Sequence, residues 1–449
     1  MKRLWSGFVV VASLAAVSAQ VPRQGPVVFE GARLIDGSGR APIESAAFIV
    51  EGDTITRVGR KGDLQTPAGS VRVDLTGKTV MPAMVDAHTH PGYRKRLTFT
   101  GDNYTRENLL DTLNRLAYYG VAATLEMGTG RGDLPFQLRT ESHPGAALFR
   151  TAGRGFAMPN AGPGVPMRDA AYGVTTDAEA RTYVQALAGK HVDIVKIWVD
   201  DRGRTVPKLT PALYRTIIDE AHKQKLRVVA HVFDLADAKD LLRAGIDGFA
   251  HLPRDEVADD EFLSLVKQKP DVFFTLTLWS ERRGIFGRTP GWLGDSLLKD
   301  AYSAEEVRQL AESFTTAPQD ELDRSRRTFD IEKATLAKLR AAGARFGVGT
   351  DSGGVSGGQF FGWAAQIEME SMVAAGFTPA EAIVAATRNS AQIVGLDRLG
   401  TVAPGKSADF LVLDANPSTD IAQTRRIRDV YLRGQRVDRA ALRGRFKTQ

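Results

Sequence analysis

The chain of 449 residues contains no cysteine, which excludes disulfides, thiolate metal ligands, a cysteine nucleophile and a lipid anchor on cysteine together. Any bound metal must therefore be held by histidine, carboxylate or a less usual donor, and only seven histidines are available. Long apolar runs are also missing. The one hydrophobic stretch, Leu4 to Val17, is shorter than the ~20 residues a membrane-spanning helix requires, and no second one follows. A large excess of one sign of charge is lacking too: the net charge is +6, to which Lys2 and Arg3 contribute, so composition gives no reason to expect a nucleic-acid partner. Arg425, Arg426, Arg428, Arg433 and Arg436 alternate with apolar residues, which reads as the wet face of strands rather than a phosphate patch.

What is present is an ordinary globular composition, 43% hydrophobic and 25% charged, in a chain long enough for one large barrel and a smaller domain. Met1-Lys2-Arg3, the apolar run and the exit Val17-Ser18-Ala19-Gln20 have the three parts of a secretory signal peptide. Residues 1–19 are thus expected to be removed, giving a periplasmic or extracellular protein with no stable membrane span. Residues 20–79 read as short strands such as Ala47-Phe48-Ile49-Val50, separated by Gly and Asp turns. The same style returns in 396–449, for example Phe410-Leu411-Val412-Leu413. Neither end can bury a sheet alone, so the two are expected to combine into one small β-sandwich-like domain.

Residues 80–395 alternate strand and helix. The predicted strands are Val80 to Val85, Ala122 to Met127, Ala147 to Ala152, Ile194 to Val199, Arg227 to His231, Gly248 to His251, Val272 to Leu278 and Arg345 to Gly349. Eight strand-helix units over roughly 300 residues predict an α/β fold of the (β/α)8 type. An open doubly wound sheet is the alternative, but no Gly-rich phosphate turn follows the first strand.

Chemistry in such barrels sits at the C-terminal ends of the strands. There the first strand runs into His88-Thr89-His90, the fifth ends at His231, the sixth at His251 and the eighth before Asp351, with Lys196 inside the fourth. Alternation along an extended chain sends His88 and His90 to one side; alone, such a pair is equally compatible with a surface turn. A lysine among Ile, Val and Trp is costly if charged, so burial favours the neutral amine, which can add carbon dioxide to become a carbamate able to bridge two metal ions. A snorkelling Lys196, or one paired with Asp193 or Asp200, is the structural alternative. For Asp351 that alternative is a helix cap or turn before Ser352-Gly353-Gly354.

His-x-His on the first strand, Lys on the fourth, His on the fifth and sixth and Asp on the eighth resembles the two-metal members of the amidohydrolase superfamily. Similar too are Gly77-Lys78-Thr79-Val80-Met81-Pro82, Gly347-Val348-Gly349-Thr350-Asp351 and Gly400-Thr401-Val402-Ala403-Pro404-Gly405-Lys406-Ser407-Ala408-Asp409. Within it the chain looks like the imidazolonepropionase-like and prolidase-like branch. The resemblance implies two divalent ions, zinc being the expected metal and manganese or cobalt also fitting. By residue, it implies that His88 and His90 hold one ion and His231 and His251 the other, that carbamylated Lys196 bridges them, and that Asp351 touches the first ion and handles the proton. The activity implied is hydrolysis of an amide or peptide bond in a small molecule, an N-acyl amino acid or dipeptide, by a metal-bridging hydroxide; the implied assembly is a homo-oligomer.

Other readings stay open. Cyclic-amide or lactone hydrolysis is one; deamination of a heterocycle is disfavoured because Val232-Phe233-Asp234-Leu235 follows His231 without the glutamate of deaminating relatives. A non-catalytic metal-binding barrel is a third. Where peptidase-like relatives have a small Ser- and Gly-rich turn after the lysine, this chain has Trp198-Val199-Asp200-Asp201-Arg202-Gly203, and Trp198 is a candidate pocket wall. Arg154, in a Gly/Pro-rich loop, is a candidate clamp for a substrate carboxylate. The segment from Ser280 to Arg327 reads as a long excursion before the next helix and a candidate lid over the site, with Trp279 and Phe286 filling a local core or meeting an apolar group of the substrate.

Overall fold

The structure, a computed structural model, describes residues 25–354 and 360–448; the predicted signal peptide lies outside the described residues. Eight parallel strands form the barrel: Met84–Thr89, Val121–Glu126, Leu148–Thr151, Val195–Val199, Val228–Val232, Gly248–Phe249, Phe273–Leu276 and Arg345–Val348. The eighth strand closes on the first where Thr350 and Asp351 donate their N–H groups to the carbonyl of His88, at 3.1 and 2.9 Å. The third and fourth strands meet through the Asp193 N–H and the Thr151 carbonyl, 3.0 Å apart. Strand residues are buried on both faces, as the continuous apolar runs predict. Helices with conventional caps cover the outside: Thr210 caps Pro211–Lys223, and Gly245, at φ 98°, ends Leu235–Ala244 in the left-handed conformation.

The predicted first strand, Val80 to Val85, is two strands of different sheets. Thr79–Pro82 pairs antiparallel with Phe410–Leu413, whereas from Met84 onward the chain pairs with the second barrel strand. The change of partner falls between Ala83, whose N–H reaches the Asp409 carbonyl, and Met84, whose N–H reaches that of Gly120. Apolar character alone is equally strong on both sides of this point, which is why it reads as one strand.

Strands from both chain ends build one eight-stranded sheet. It forks at Val27–Leu34, which pairs with Val71–Asp74 along its first half and with Thr79–Pro82 along its second. Its core is aromatic, Phe29 stacking on Phe48 with centroids 5.0 Å apart and both meeting Phe410 edge-on.

Two expectations are corrected. Arg425 is not on a wet strand face: it lies beside Asp295 and Glu370, with its side chain 15% exposed. Ser280 to Arg327 is not an excursion ahead of a helix, because short helices fill it and Gln319–Ala341 begins inside it. Trp279 and Trp292 are buried there with centroids 5.4 Å apart and Phe286 packs edge-on to Trp292, so these aromatics form a local core.

Candidate active site

The ends of the first and eighth barrel strands place His88, His90 and Asp351 so that one ligand atom of each lies within 4.8 Å of the others. Oδ1 of Asp351 is 3.4 Å from Nε2 of His88 and 3.0 Å from Nε2 of His90. Reaching that position puts Asp351 at φ 52°, in the left-handed region, held by Thr350 and Ser352: the Thr350 hydroxyl lies 2.6 Å from both Oδ2 of buried Asp86 and the Ser352 hydroxyl. The turn also requires glycine. A Cβ on Gly349 would meet that of His88 at 2.6 Å, and one on Gly353, at φ 85°, would collide with the His90 carbonyl.

The other two histidines complete a ring. His251 lies with its centroid 5.0 Å from that of His88 and 4.5 Å from that of His231. In every imidazole one nitrogen is engaged by a protein oxygen outside the cluster, while the Nε2 atoms of His88 and His90, 3.2 Å apart, converge on Oδ1 of Asp351. Nδ1 of His88 donates to the Ala250 carbonyl at 3.1 Å, Nδ1 of His90 lies 3.0 Å from the Thr129 hydroxyl, and Nδ1 of His251 lies 2.6 Å from the Thr277 hydroxyl. His231 is turned the other way, Nε2 lying 2.9 Å from Asp200. A second oxygen partner that orients the ring is the usual setting of a metal-binding histidine. Behind Thr129 stands buried Glu126, which accepts from the Thr129 hydroxyl at 3.0 Å and from that of Thr151 at 2.7 Å.

Burial is the main cause of the site's electrostatics. It holds His88 and His251 well below the ordinary imidazole range, with neighbouring positive groups adding to it. His231 is pushed down to about 3, burial and the charges of Arg202 and Arg254 outweighing the Asp200 hydrogen bond. These imidazoles are neutral at pH 7, the form that binds metals. Burial pushes the Asp351 carboxyl up, but the hydrogen bond to His90 and the fields of the histidines outweigh it and hold the group well below the usual carboxylate range.

Lys196 is fully buried, and its Nζ has no hydrogen-bond partner. Neither alternative partner serves: Asp193 is paired with Arg139 and Arg150, Asp200 with His231. Desolvation lowers the amine to about 7, so at neutral pH a large share is unprotonated and nucleophilic. An orphaned buried amine beside four imidazoles and a carboxylate fits a lysine that takes up carbon dioxide and binds two cations; the donor set suits borderline divalent ions.

The remaining sequence candidates take other roles. Nζ of Lys196 lies 5.4 Å from the Trp198 ring, which packs in a slot where a Cβ on Gly155 or Gly128 would strike it. Arg154 spends its fork on the carbonyls of Asp169, Ala170 and Ala171, with its plane 4.1 Å over Tyr172; it pins the rim loop instead of presenting a free clamp. His143 and His222 pair with Glu141 and Asp247 away from the site. Sequence reading missed Thr129, Thr277 and Arg254. Two short polar residues past a strand end carry no periodic signal, whereas Arg254 stands three residues after His251 and was visible.

A closed parallel barrel with a histidine-rich cluster at its strand ends defines the class: a parallel α/β barrel with a candidate metal site. The chain belongs to the amidohydrolase family, whose model matches residues 79–437. It is 25% identical over 435 residues to the ochratoxinase of Aspergillus niger, covering 86% of this chain and 81% of that protein. It is 24% identical over 458 residues to the imidazolonepropionase of Streptomyces avermitilis, covering 96% and 97%. Among solved structures, a putative prolidase from Bifidobacterium longum superposes with a TM-score of 0.73 at 26% identity, covering 95% of this chain and all of that one. The chain is thus similar to imidazolonepropionases and to a putative prolidase, and as a member of the amidohydrolase family it is a hydrolase of amide carbon–nitrogen bonds.

Proposed function

We propose that the protein is an exported two-metal amidohydrolase that cleaves the amide bond of a small acylated amino acid or dipeptide. The observation that supports this most is the set of four imidazoles, each oriented by a protein oxygen on one ring nitrogen, around an orphaned buried Lys196. His88, His90 and Asp351 would hold one ion, His231 and His251 the other, with Lys196 as a carbamate between them. When bound, two such ions supply Lewis acidity toward a carbonyl oxygen and an acidified water.

The chain's own residues do the rest. Asp351 is exposed enough, 25% of its side chain, to meet substrate, and as a carboxylate accepts the proton of the attacking water and returns it to the departing nitrogen. Asp200 and the hydroxyls of Thr129 and Thr277 fix the imidazole rings, so that no ring must reorient as the reaction proceeds. The burial of Lys196 in the barrel wall favours its unprotonated amine.

A panel of N-acyl amino acids, dipeptides and nitrogen heterocycles, assayed with zinc and bicarbonate and scored separately for amino acid and ammonia, tests this reading. Release of free amino acid is expected. Ammonia alone would favour heterocycle deamination; no turnover, with less than about one metal equivalent bound, would favour a non-catalytic barrel.

A further inference from the structure

A cavity of about 1020 Å³ opens at the rim of the fourth to seventh barrel strands, beside the His231 end of the site and under the first turns of Gln319–Ala341. It is lined by as many cations as anions, but the anions are engaged. Asp200 faces His231 and accepts from the Arg202 N–H, Asp201 accepts from the Arg204 N–H, and Asp234 pairs with Lys208. Glu281 accepts from the Ser325 hydroxyl.

Two of the half-buried cations are not matched in this way. Among the described residues no carboxylate lies within ion-pair distance of Arg254; its Nε is buried without a hydrogen-bond partner, and its one side-chain hydrogen bond, to the Val232 carbonyl, is long at 3.5 Å. Its guanidinium carbon lies 5.4 Å from the ring of Phe233, itself 38% exposed in the cavity. Arg202 donates to the Gly162 carbonyl at 3.0 Å and reaches Asp200 only at 3.5 Å. The two guanidiniums stand within each other's field, and both charges are felt at His231 and Lys196. Two like charges beside a reactive centre, one of them unpaired, are unfavourable until an anion arrives. A planar fork held over an aromatic face matches a carboxylate, which accepts two parallel hydrogen bonds.

We propose that Arg202 and Arg254 are specificity-determining residues that bind a carboxylate of the substrate in this cavity, with Phe233 as the apolar surface beside it. The proposal rests on the two-metal hydrolase reading for where the scissile amide sits. It assigns to the strand-four turn, where Trp198-Val199-Asp200-Asp201-Arg202-Gly203 replaces a small turn, a function in substrate choice. The carboxylate can come from either side of the amide. N-benzoylglycine carries it on the amine side and N-phenylglutaramate on the acyl side.

The test compares each of these acids with its carboxamide, scored by benzoate and by aniline released, in the full-length metal-loaded protein. The side whose acid is preferred identifies the source. In Arg254→Gln and in Arg202→Gln the acid-over-carboxamide ratio of kcat/KM is expected to fall about 10²-fold, mainly through KM, the loss typical of removing one partner of a charged hydrogen-bonded contact. Arg254→Lys should retain part of it. Arg204→Gln, at an exposed cation of the same cavity, should leave the ratio unchanged; an equal fall there would overturn the pair in favour of diffuse charge. An unchanged ratio in Arg254→Gln overturns the proposal while hydrolysis itself stands. If no probe is hydrolysed, calorimetry decides: binding of either acid to wild type that is lost in Arg254→Gln upholds the carboxylate site and sinks the acyl-amino-acid reading of the substrate, and no binding overturns the site as well. Thermal midpoints and metal content of each variant show that it is folded and loaded.

Discussion

Replacing Lys196 by Met should stabilise the metal-free protein while abolishing its function. The methionine keeps most of the apolar stem and removes an amine that is fully buried without a partner. The unfolded chain holds a proton on this lysine up to its ordinary value of 10.5, the folded chain only up to about 7. Each pKa unit is worth about 1.4 kcal/mol, so burying this amine costs the folded state about 5 kcal/mol at neutral pH and below. Between those two pH values the unfolded state carries the extra proton, so wild-type stability rises with pH relative to the variant. The difference is therefore largest below about pH 7 and vanishes above about pH 10.5. For a domain of this size 1 kcal/mol moves the midpoint by roughly 1 °C, so the variant should melt about 5 °C higher near pH 6.5. The assay is thermal unfolding of chelator-treated, carbon-dioxide-free protein across that pH range. Equal midpoints near pH 6.5, or a gap that does not narrow as pH rises, would refute the reasoning, because Lys196 would then have a partner or access to water.

Three further outcomes follow from the site. Lys196→Ala should lose metal and activity and regain part of both with short-chain carboxylic acids, which supply the missing oxygens; full activity without them contradicts a bridging role. Asp351→Asn should lower turnover by about 10²-fold or more, the scale of a positioned acid-base group, seen in steady-state kinetics; unchanged turnover would remove it from proton transfer. Thr277→Val should weaken metal affinity 10- to 100-fold by freeing His251 to rotate, measured by competition with a chromogenic chelator, and unaltered affinity would show that the hydroxyl does not orient the ring.

Much of this molecule is legible in its sequence because its strongest signals are periodic or punctual. Buried parallel strands such as Val228–Val232 and Val195–Val199 read as continuous apolar runs, and ligand-type residues at their ends stand out against them. What periodicity cannot show is a change of partner, so Thr79–Pro82 and Met84–Thr89 merge into one predicted strand. The C-terminal helix Arg439–Thr448 is invisible for a related reason: only Leu442 and Phe446 give it an apolar face, and its place is secured by Phe446 and Arg439 packing on Tyr118. Arg425 and Arg154 show a further limit, since an arginine's partners come from distant segments. Thr129, Thr277 and Asp200 orient the imidazoles through contacts that only the closed barrel creates.

The central claim, a pair of cations held by four histidines, Asp351 and a modified Lys196, is tested most directly by metal stoichiometry. Protein purified without chelator and reconstituted with zinc and bicarbonate should carry about two equivalents per chain, and Lys196→Ala about one or fewer, as expected when a bridging ligand is lost. One equivalent or fewer in the wild type, or two retained in Lys196→Ala, would contradict the account.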